Sequence, residues 1–396
     1  MHVAFVTPEF VKDSKLYPGG LATYIHTTAK TLIRLGTKVT VYLISDRDCT
    51  YVFDGIRVEE VANRCPLLAR PLARIMKAWT PFGVNRIVGS WCVNRRLAKD
   101  RKAFAIDIIQ YTNWKSTGLF RLKKGSLIRI SSYEKLLDNN PTDLNPDKRF
   151  CVWLEAVAYR RFEFMFGPGR YIAEQIKRDL GLKNEIRIIP TPVELNSQPS
   201  DRIFRKEGMK MVMFAGTLSR IKGARLLLEI MDLYLSEFKD TIFLIAGKTG
   251  ALDGTSSGIF LDRLREKHPD HILYHPHLEK PDLLAAYSQT DAMLIPSMVD
   301  NFPNTALEAA SQGAVIIASN TSSLEPFIEN GRNGIILYTR DANTWIASIR
   351  ETFEMGSHEL EAMRVEMRKS LESHKSDVAV RSLRDLYRSV LAKEKA

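Results

Sequence analysis

Long apolar runs and paired cysteines are missing from this 396-residue sequence. No stretch approaches the roughly 18 apolar residues that span a bilayer, so we expect no transmembrane helix. Residues 1–6 enter a β-like run without a basic leader, so we expect no secretory signal. The four cysteines show neither zinc-ribbon spacing nor a CxxC pair, which predicts free thiols in a reducing cytoplasm.

Acidic residues are almost absent between positions 64 and 102. This segment holds ten lysines and arginines but a single acid, Asp100, so it carries most of the net charge of +11. A local excess of this kind favours a specific anionic partner. No recognition-helix or base-stacking motif accompanies the charge, so we predict no nucleic-acid partner.

Apolar residues within this basic segment recur at helical spacing with cations between them (Leu68, Leu72, Ile75, Met76 and Trp79, with Arg70, Arg74 and Lys77). The pattern is typical of a basic amphipathic helix on an anionic membrane surface. A helix packed on a core with a basic outer face is the alternative. We therefore expect a cytoplasmic protein, peripheral on the inner face of the membrane if the helix binds there.

Metal-ligand patterns are weak. Asp46-Arg47-Asp48 is a formal Asp-x-Asp, but it follows a second β-like run and fits a solvated loop. His275 and His277 alternate as in a strand, and no third ligand stands at a sensible spacing. The sequence predicts no metal site and no cofactor.

Strand and helix patterns alternate along the first half of the chain. A length of 396 residues exceeds what one core usually fills. Short apolar runs predict strands at 3–7, 38–44, 57–61, 106–111, 127–131 and 186–189. Helical periodicity predicts helices at 21–35 and 149–166. A linker follows at 190–192 and 196–201.

The alternation then restarts. Strands are predicted at 211–215, 241–246, 292–295, 315–318 and 334–337. Helices are predicted at 223–238, 282–287, 304–312 and 378–392. Such alternation indicates α/β architecture with parallel sheets. We expect two Rossmann-like domains with a central cleft: 1–195, to which the C-terminal helix (376–396) crosses back, and 200–375.

The strongest motif runs from Pro296 to Ala309, where a predicted strand gives way to a polar loop and a helix. Free amides at a helix N-terminus hold phosphate. Asp300 and Glu308 have seven residues between them and can bracket a ligand, with Glu308 on ribose hydroxyls and Asp300 on sugar hydroxyls. From the pattern alone, a capped helix with two solvated acids fits as well.

Two further loops carry charge or glycine. In the stretch from Phe214 to Gly223, Arg220 and Lys222 precede a helix and can neutralise a diphosphate leaving group. Tyr17-Pro18 leads into Gly19-Gly20, where glycine lets the backbone approach a ligand closely.

The run from Ser297 to Gly334 resembles the donor-site signature of glycosyltransferase family 4, the retaining GT-B enzymes. That signature has two glutamates seven residues apart around Phe-Gly or Phe-Pro, then Leu-Glu-Ala, a glycine, an apolar strand and a Glu–Gly–Gly tail. The matching residues are Asp300, Phe302-Pro303, Leu307-Glu308-Ala309, Gly313, 315–318, Glu325, Gly331 and Gly334. Lys222 falls on the family lysine.

The sequence departs from the family at several places. Asp300 replaces the first glutamate and Thr217 replaces the family arginine, for which Arg220 can substitute. The family often has a histidine near 110–114 and another near 129–133, and neither is present here.

The resemblance implies residue roles. Lys222, Arg220, Asp300 and Glu308 would carry the transfer chemistry. The remaining donor-binding residues would be Gly19, Gly20, Gly216, His277, Leu278, Asn301, Phe302, Pro303, Asn304, Thr305, Ala306 and Leu307. On the acceptor side Gln110, Asn113 and Ser132 can hydrogen-bond a sugar, and loop capping at strand ends is the alternative.

The implied function is retaining, metal-independent transfer of a sugar from a nucleotide sugar to a glycan or lipid-linked acceptor, in cell-surface polysaccharide or glycolipid biosynthesis. Family frequency favours UDP over GDP. Two alternatives stay open: a nucleotide-sugar epimerase of GT-B fold, and a non-catalytic sugar-nucleotide-binding protein, which the absent histidines support.

Overall fold

The computed structural model describes residues 1–11, 19–137, 145–194 and 198–394. The chain divides into two compact units, one of Met1–Pro192 with Ser376–Ala396 and the other of Val193–Lys375. Within the described ranges, every helix is too short or too polar to cross a bilayer.

The first unit is an α/β unit. Its strands are β1 (His2–Thr7), β2 (Lys38–Ser45), β3 (Cys49–Phe53), β4 (Ile56–Ala62), β5 (Ile108–Thr112), β6 (Ser126–Arg129), β7 (Phe164–Gly167) and β8 (Ile186–Ile188). Its helices before the linker are α1 (Gly20–Arg34), α2 (Arg70–Trp79), α3 (Pro81–Ala103), α4 (Glu134–Leu137), α5 (Pro146–Tyr159) and α6 (Arg170–Leu180). The sheet order is β3-β4-β2-β1-β5-β6-β7-β8, parallel except for the antiparallel edge strand β3.

The second unit repeats the same architecture. Its strands are β9 (Lys210–Ala215), β10 (Thr241–Ala246), β11 (Ala251–Leu252), β12 (Thr255–Ser256), β13 (Ile272–His275), β14 (Ala292–Ile295), β15 (Val315–Ser319) and β16 (Ile335–Leu337). Its helices are α7 (Ala224–Glu237), α8 (Ser257–Lys267), α9 (Lys280–Ser288), α10 (Asn304–Ser311), α11 (Ala342–Glu354) and α12 (Ser357–Glu372). The sheet order β13-β10-β9-β14-β15-β16 is parallel throughout, and β11 and β12 form a separate hairpin.

The last helix, α13 (Ser376–Lys393), belongs to the first unit. Its apolar stripe includes Val380, Leu383 and Tyr387, which are buried in one core with Val3 and Phe5 of β1. The prediction that the C-terminal helix returns to the N-terminal sheet is therefore confirmed. Burial of the stripe explains why this amphipathic segment folds as a helix.

Most predicted elements are confirmed to within two residues, but the helix predicted at 149–166 is wrong from residue 160 onward. Helix α5 ends at Tyr159, and β7 follows between β6 and β8. Apolar residues at 162–167 fit a buried helix and a buried strand equally well, because periodicity cannot separate the two over so short a run. Pairing of Leu127 with Phe164 decides for the strand.

Candidate functional site

Strand β14 leads directly into the strongest motif of the sequence. The strand is buried along its whole length and pairs with β9 and β15. In an open α/β sheet, loops at the carboxyl ends of the strands form the binding edge. The loop between β14 and α10 therefore lies at the same edge as the loop that follows β9.

These two loops are joined to each other. The Met298 amide donates a hydrogen bond to the Ile221 carbonyl at 2.8 Å. Gly223 has φ +80°, and a Cβ there would stand 2.0 Å from the Pro296 carbonyl oxygen. Only glycine tolerates both this conformation and this approach. Two motifs that are 70 residues or more apart in the chain are thus held as one surface.

Lys222 and Asp300 form an ion pair on this surface. The Lys222 ammonium lies 2.5 Å from Asp300 Oδ2, and the Asp300 side chain is only 14% exposed. The Ser297 hydroxyl donates to the same oxygen at 3.3 Å, and the Asn301 amide donates to Oδ1 at 2.9 Å. A lysine ammonium has three donors, so Lys222 can keep Asp300 and still donate to a ligand anion.

Glu308 makes a second ion pair, on α10. The Lys280 ammonium lies 2.5 Å from Glu308 Oε1, and the Glu308 side chain is 16% exposed. Burial, together with the charge of Glu308, raises the pKa of the neighbouring Tyr287 hydroxyl well above its usual range. Lys280 was not singled out from the sequence. Its position as first residue of α9, two residues after Leu278, is the only sequence signal for it.

The N-terminus of α10 faces the loop. Pro303 is the N-cap residue and supplies no side-chain hydrogen bond to the first turn. Asn304 and Thr305 are half-buried at the start of the helix. Amides in the first turn of a helix have no intrahelical acceptor, so this end can accept an anionic ligand.

Other residues predicted to bind the donor point into the core. Phe302 is buried, stacked on the His374 ring at a centroid distance of 4.9 Å. Its φ of +68° is unusual for a bulky residue and marks local strain. Ala306 and Leu307 are also completely buried. Any contact of these three with a donor would come through the backbone.

The remaining donor-side predictions lie around the same edge. Gly216 directly follows β9, and its amide donates to the Ala246 carbonyl at 2.8 Å. The Arg220 side chain is half-buried. His277 is exposed 3.5 Å from Glu279, and Leu278 packs against the core.

No motif of the sequence indicates a role for Arg340 at this site. Its guanidinium donates to the Pro296 carbonyl at 3.3 Å, to the Ser297 carbonyl at 3.1 Å and to the Thr321 hydroxyl at 3.2 Å. It therefore fixes the start of the β14–α10 loop. The sequence alone gives no signal for these three hydrogen bonds of Arg340, because only the fold brings their partners together.

In the first unit, Gly20 begins α1 and Gly19 is its N-cap residue. Tyr17 and Pro18 of the same motif lie outside the described residues. The Glu9 carboxylate is near: a Cβ on Gly19 would stand 3.7 Å from Glu9 Oε2. Burial raises the pKa of Glu9.

The three acceptor-side candidates contribute to internal hydrogen bonding. Gln110 is completely buried, donates to the Tyr24 hydroxyl at 3.3 Å and accepts from the Tyr387 hydroxyl at 2.6 Å. Asn113, also buried, donates at 2.8 Å to both the Ser132 carbonyl and Glu155. These contacts satisfy both amides within the protein and favour the loop-capping alternative. A role for them in acceptor binding stays a prediction.

Arg129, in the stretch 129–133 where the second family histidine is missing, is also internal. It is buried with its guanidinium carbon 3.6 Å from the centroid of the Tyr24 ring, and burial lowers its pKa. Among the described residues, no group of three or more His, Cys, Asp or Glu side chains is arranged to hold a metal ion.

Two family models match the chain in succession. Residues 18–197 match Glycosyltransferase Family 4, and residues 198–370 match Glycosyl transferases group 1. A D-inositol 3-phosphate glycosyltransferase of Arthrobacter sp. (strain FB24) is 28% identical over 135 residues, which are 34% of this chain and 32% of that protein. The chain thus matches about a third of the length of this curated relative.

Solved structures share the whole fold. A sucrose-phosphate synthase from Thermosynechococcus elongatus has a TM-score of 0.78 at 15% identity, covering 99% of each chain. Anabaena HepE in complex with UDP and glucose has a TM-score of 0.68 at 14% identity, covering 98% of this chain and 100% of that one. At these identities the likeness establishes the fold.

Proposed function

Because this chain belongs to glycosyltransferase family 4 and has the GT-B fold, we propose that it is a retaining glycosyltransferase with a nucleotide-sugar donor. The acceptor in this proposal is a glycan or a lipid-linked sugar. UDP is the favoured nucleotide, which the UDP and glucose bound to the similar Anabaena HepE support.

The observation that carries the proposal is the contact of Lys222 with Asp300 beside the N-terminus of α10. Departure of a nucleoside diphosphate develops negative charge, which fixed cations and backbone amides stabilise. In the proposed site Lys222, Arg220 and the first-turn amides of α10 face the diphosphate. Asp300 binds hydroxyls of the transferred sugar.

Glu308 is the proposed ribose ligand. A carboxylate accepts hydrogen bonds from two vicinal hydroxyls, and the Lys280 ammonium, 2.5 Å from Oε1, holds the Glu308 side chain in position.

We propose that the cations of the site replace a metal ion in charge compensation. The resemblance to glycosyltransferase family 4 implies transfer without a metal ion. Lys222 and Arg220 supply positive charge where the diphosphate is proposed to lie. Transfer activity is then expected to persist in excess EDTA. Loss of activity in EDTA that returns with Mg²⁺ or Mn²⁺ would contradict this part of the proposal.

The proposed partner of the basic segment is an anionic membrane surface, which would make the protein peripheral on the cytoplasmic face. The helix predicted there is α2, and none of its residues is buried. The alternative, a helix packed on the core with a basic outer face, requires a buried stripe that α2 lacks. A membrane location suits the proposed place in cell-surface polysaccharide or glycolipid biosynthesis.

The transferase proposal is tested by incubating the protein with UDP-sugars, with and without membrane-extracted lipid-linked acceptors. The expected result is release of UDP together with a glycosylated product, only when the acceptor is present. An epimerised sugar formed from donor alone would contradict the proposal.

A second candidate, a non-catalytic nucleotide-sugar-binding protein, is favoured by one observation. Gln110 and Asn113, at the place of the first missing histidine, are both engaged in internal hydrogen bonds. This candidate predicts donor binding without turnover on any acceptor of the same panel.

A further inference from the structure

Helices α2 and α3 enclose an apolar groove in the first unit. The groove has a volume of about 240 Å³, and its walls include Ala73 and Met76 of α2, Val88 and Trp91 of α3, and Phe120. Its lining side chains are aliphatic, aromatic or sulfur-containing. An apolar cavity of roughly 150 Å³ is enough to hold a benzene ring, so this groove has room for an apolar ligand.

Large apolar side chains on α2 and its flanks are in contact with solvent. Exposed fractions lie between 63% and 76% for Leu67, Leu72, Ile75, Trp79 and Phe82. On α5, the 56% exposed Trp153 stacks on Phe150 at 5.7 Å, and Phe150 lies against Gly83, next to Phe82. A patch of this kind on one short helix and its flanks marks an interaction surface.

Cations border both the groove and the patch. The Arg95 guanidinium carbon lies 5.1 Å from the centroid of the Trp91 ring that lines the groove. Arg70 Nε donates at 3.4 Å to the carbonyl of Cys65, which also lines the groove. Arg74 and Lys77 are exposed on the opposite face of α2 from Leu72 and Trp79.

We propose that the α2–α3 groove binds one hydrocarbon chain of an anionic membrane phospholipid, with Arg70 and Arg95 at the headgroup phosphate. The inference rests on the membrane partner proposed above and adds a defined binding site to it. An apolar groove bordered by cations complements an acyl chain that ends in an anionic headgroup. Adsorption to the membrane surface alone would require the exposed apolar patch and the cations but not the groove.

The positive charge of the basic segment also argues against a second copy of this chain as the partner of the exposed apolar patch. Two copies of α2 would bring together helices that each carry Arg70, Arg74 and Lys77 and no acid. Like charges disfavour that pairing, whereas an anionic bilayer is attracted by the same charges.

The test uses the full chain and Trp91 as the reporter. The background variant carries Trp79→Phe and Trp153→Phe, which removes the two exposed indoles. It is mixed with vesicles of phosphatidylglycerol and phosphatidylcholine in which the phosphatidylglycerol chains carry bromine at mid-chain. Bromine quenches indole fluorescence on contact, so we expect quenching that falls at least threefold when Trp91→Phe is added.

A matched pair of variants separates the groove from the surface. Ala73→Leu fills the groove, whereas Ala78→Leu makes the same change on the cationic side of α2, outside the groove. Both are expected to float with anionic vesicles and to leave phosphatidylcholine vesicles unbound. Only Ala73→Leu is expected to abolish quenching of Trp91.

The outcomes separate the two proposals. No flotation of the parent protein with anionic vesicles contradicts the membrane partner itself. Flotation with no quenching assigned to Trp91, or equal quenching in Ala73→Leu and Ala78→Leu, overturns the groove while leaving membrane association in place.

Discussion

Replacing Lys222 by alanine removes the ammonium group that forms an ion pair with Asp300. In the proposed site this ammonium also donates to the diphosphate of the donor. A hydrogen bond to a charged group contributes about 1.5–3 kcal/mol, which corresponds to a loss of roughly 10- to 150-fold in affinity for UDP. Because Lys222 is about a third exposed, the lower half of that range is expected.

Isothermal titration calorimetry with UDP measures this loss, and Lys267→Ala is the matched control. Lys267 also forms a close ion pair, 2.6 Å from Asp232, but it ends α8 just before β13. It therefore lies at the amino edge of the sheet, opposite the proposed site. We expect an unchanged UDP affinity for Lys267→Ala. An unchanged affinity in a folded Lys222→Ala protein would refute the placement of the diphosphate.

Three further predictions concern Glu308, Gly223 and Glu155. Glu308→Ala is expected to weaken UDP binding about tenfold or more, because the protein loses charged hydrogen bonds to the ribose. Its affinity for pyrophosphate, which has no ribose, is expected to stay unchanged. Equal losses of affinity for the two ligands in calorimetry would exclude the ribose assignment. Gly223→Ala combines the cost of a positive φ, about 1–2 kcal/mol, with a clash between the new Cβ and the Pro296 carbonyl oxygen. The control Gly254→Ala has only the first cost, because nothing lies within 4 Å of its Cβ. In thermal unfolding Gly223→Ala should lower Tm at least twice as much as Gly254→Ala, and equal shifts would contradict the packing. Burial raises the pKa of Glu155 to about 8, so the folded state holds a proton that the unfolded state releases near its usual pKa of about 4.3. Stability is therefore expected to fall as pH rises from about 4.5 to about 8, and Glu155→Gln should flatten that dependence of Tm; parallel curves for the two proteins would show that another group sets it.

Much of the fold follows from local patterns in the sequence. Strands such as β14 are short, wholly apolar and bounded by turn residues, so their position can be read directly. Edge and peripheral elements could not be read this way. Strand β3 is mostly exposed, and α3 follows from packing against α5 and β2 rather than from a strong apolar stripe. Tertiary contacts decide such segments.

The site shows the same division. Lys222, Asp300 and Glu308 stand out because their loops carry charge between a strand and a helix, and the structure brings Lys222 and Asp300 into contact. Lys280 and Arg340 did not stand out, since each acquires its partner only through the fold. Gln110 stood out for its polarity at a strand end, yet β5 directs its side chain toward Tyr24 and Tyr387.

The proposed membrane-binding helix α2 could be predicted from the sequence for a physical reason. Cations and apolar residues alternate on α2 with a helical period, which a sequence displays openly. The groove beneath the helix is different, because its far wall comes from α3 and from Phe120, neither of which shares that period.

We propose that the loop between β14 and α10, together with Lys222, binds a nucleotide sugar. A thermal-shift screen of nucleotide sugars on the parent protein, Lys222→Ala and Glu308→Ala tests it most directly. A ligand that binds only the folded state raises the unfolding temperature, and a concentration of 100 times Kd contributes about 2.7 kcal/mol. We expect at least one nucleotide sugar to raise the Tm of the parent protein and both variants to lose most of that rise. No rise with any nucleotide sugar, or an equal rise in all three proteins, would contradict it.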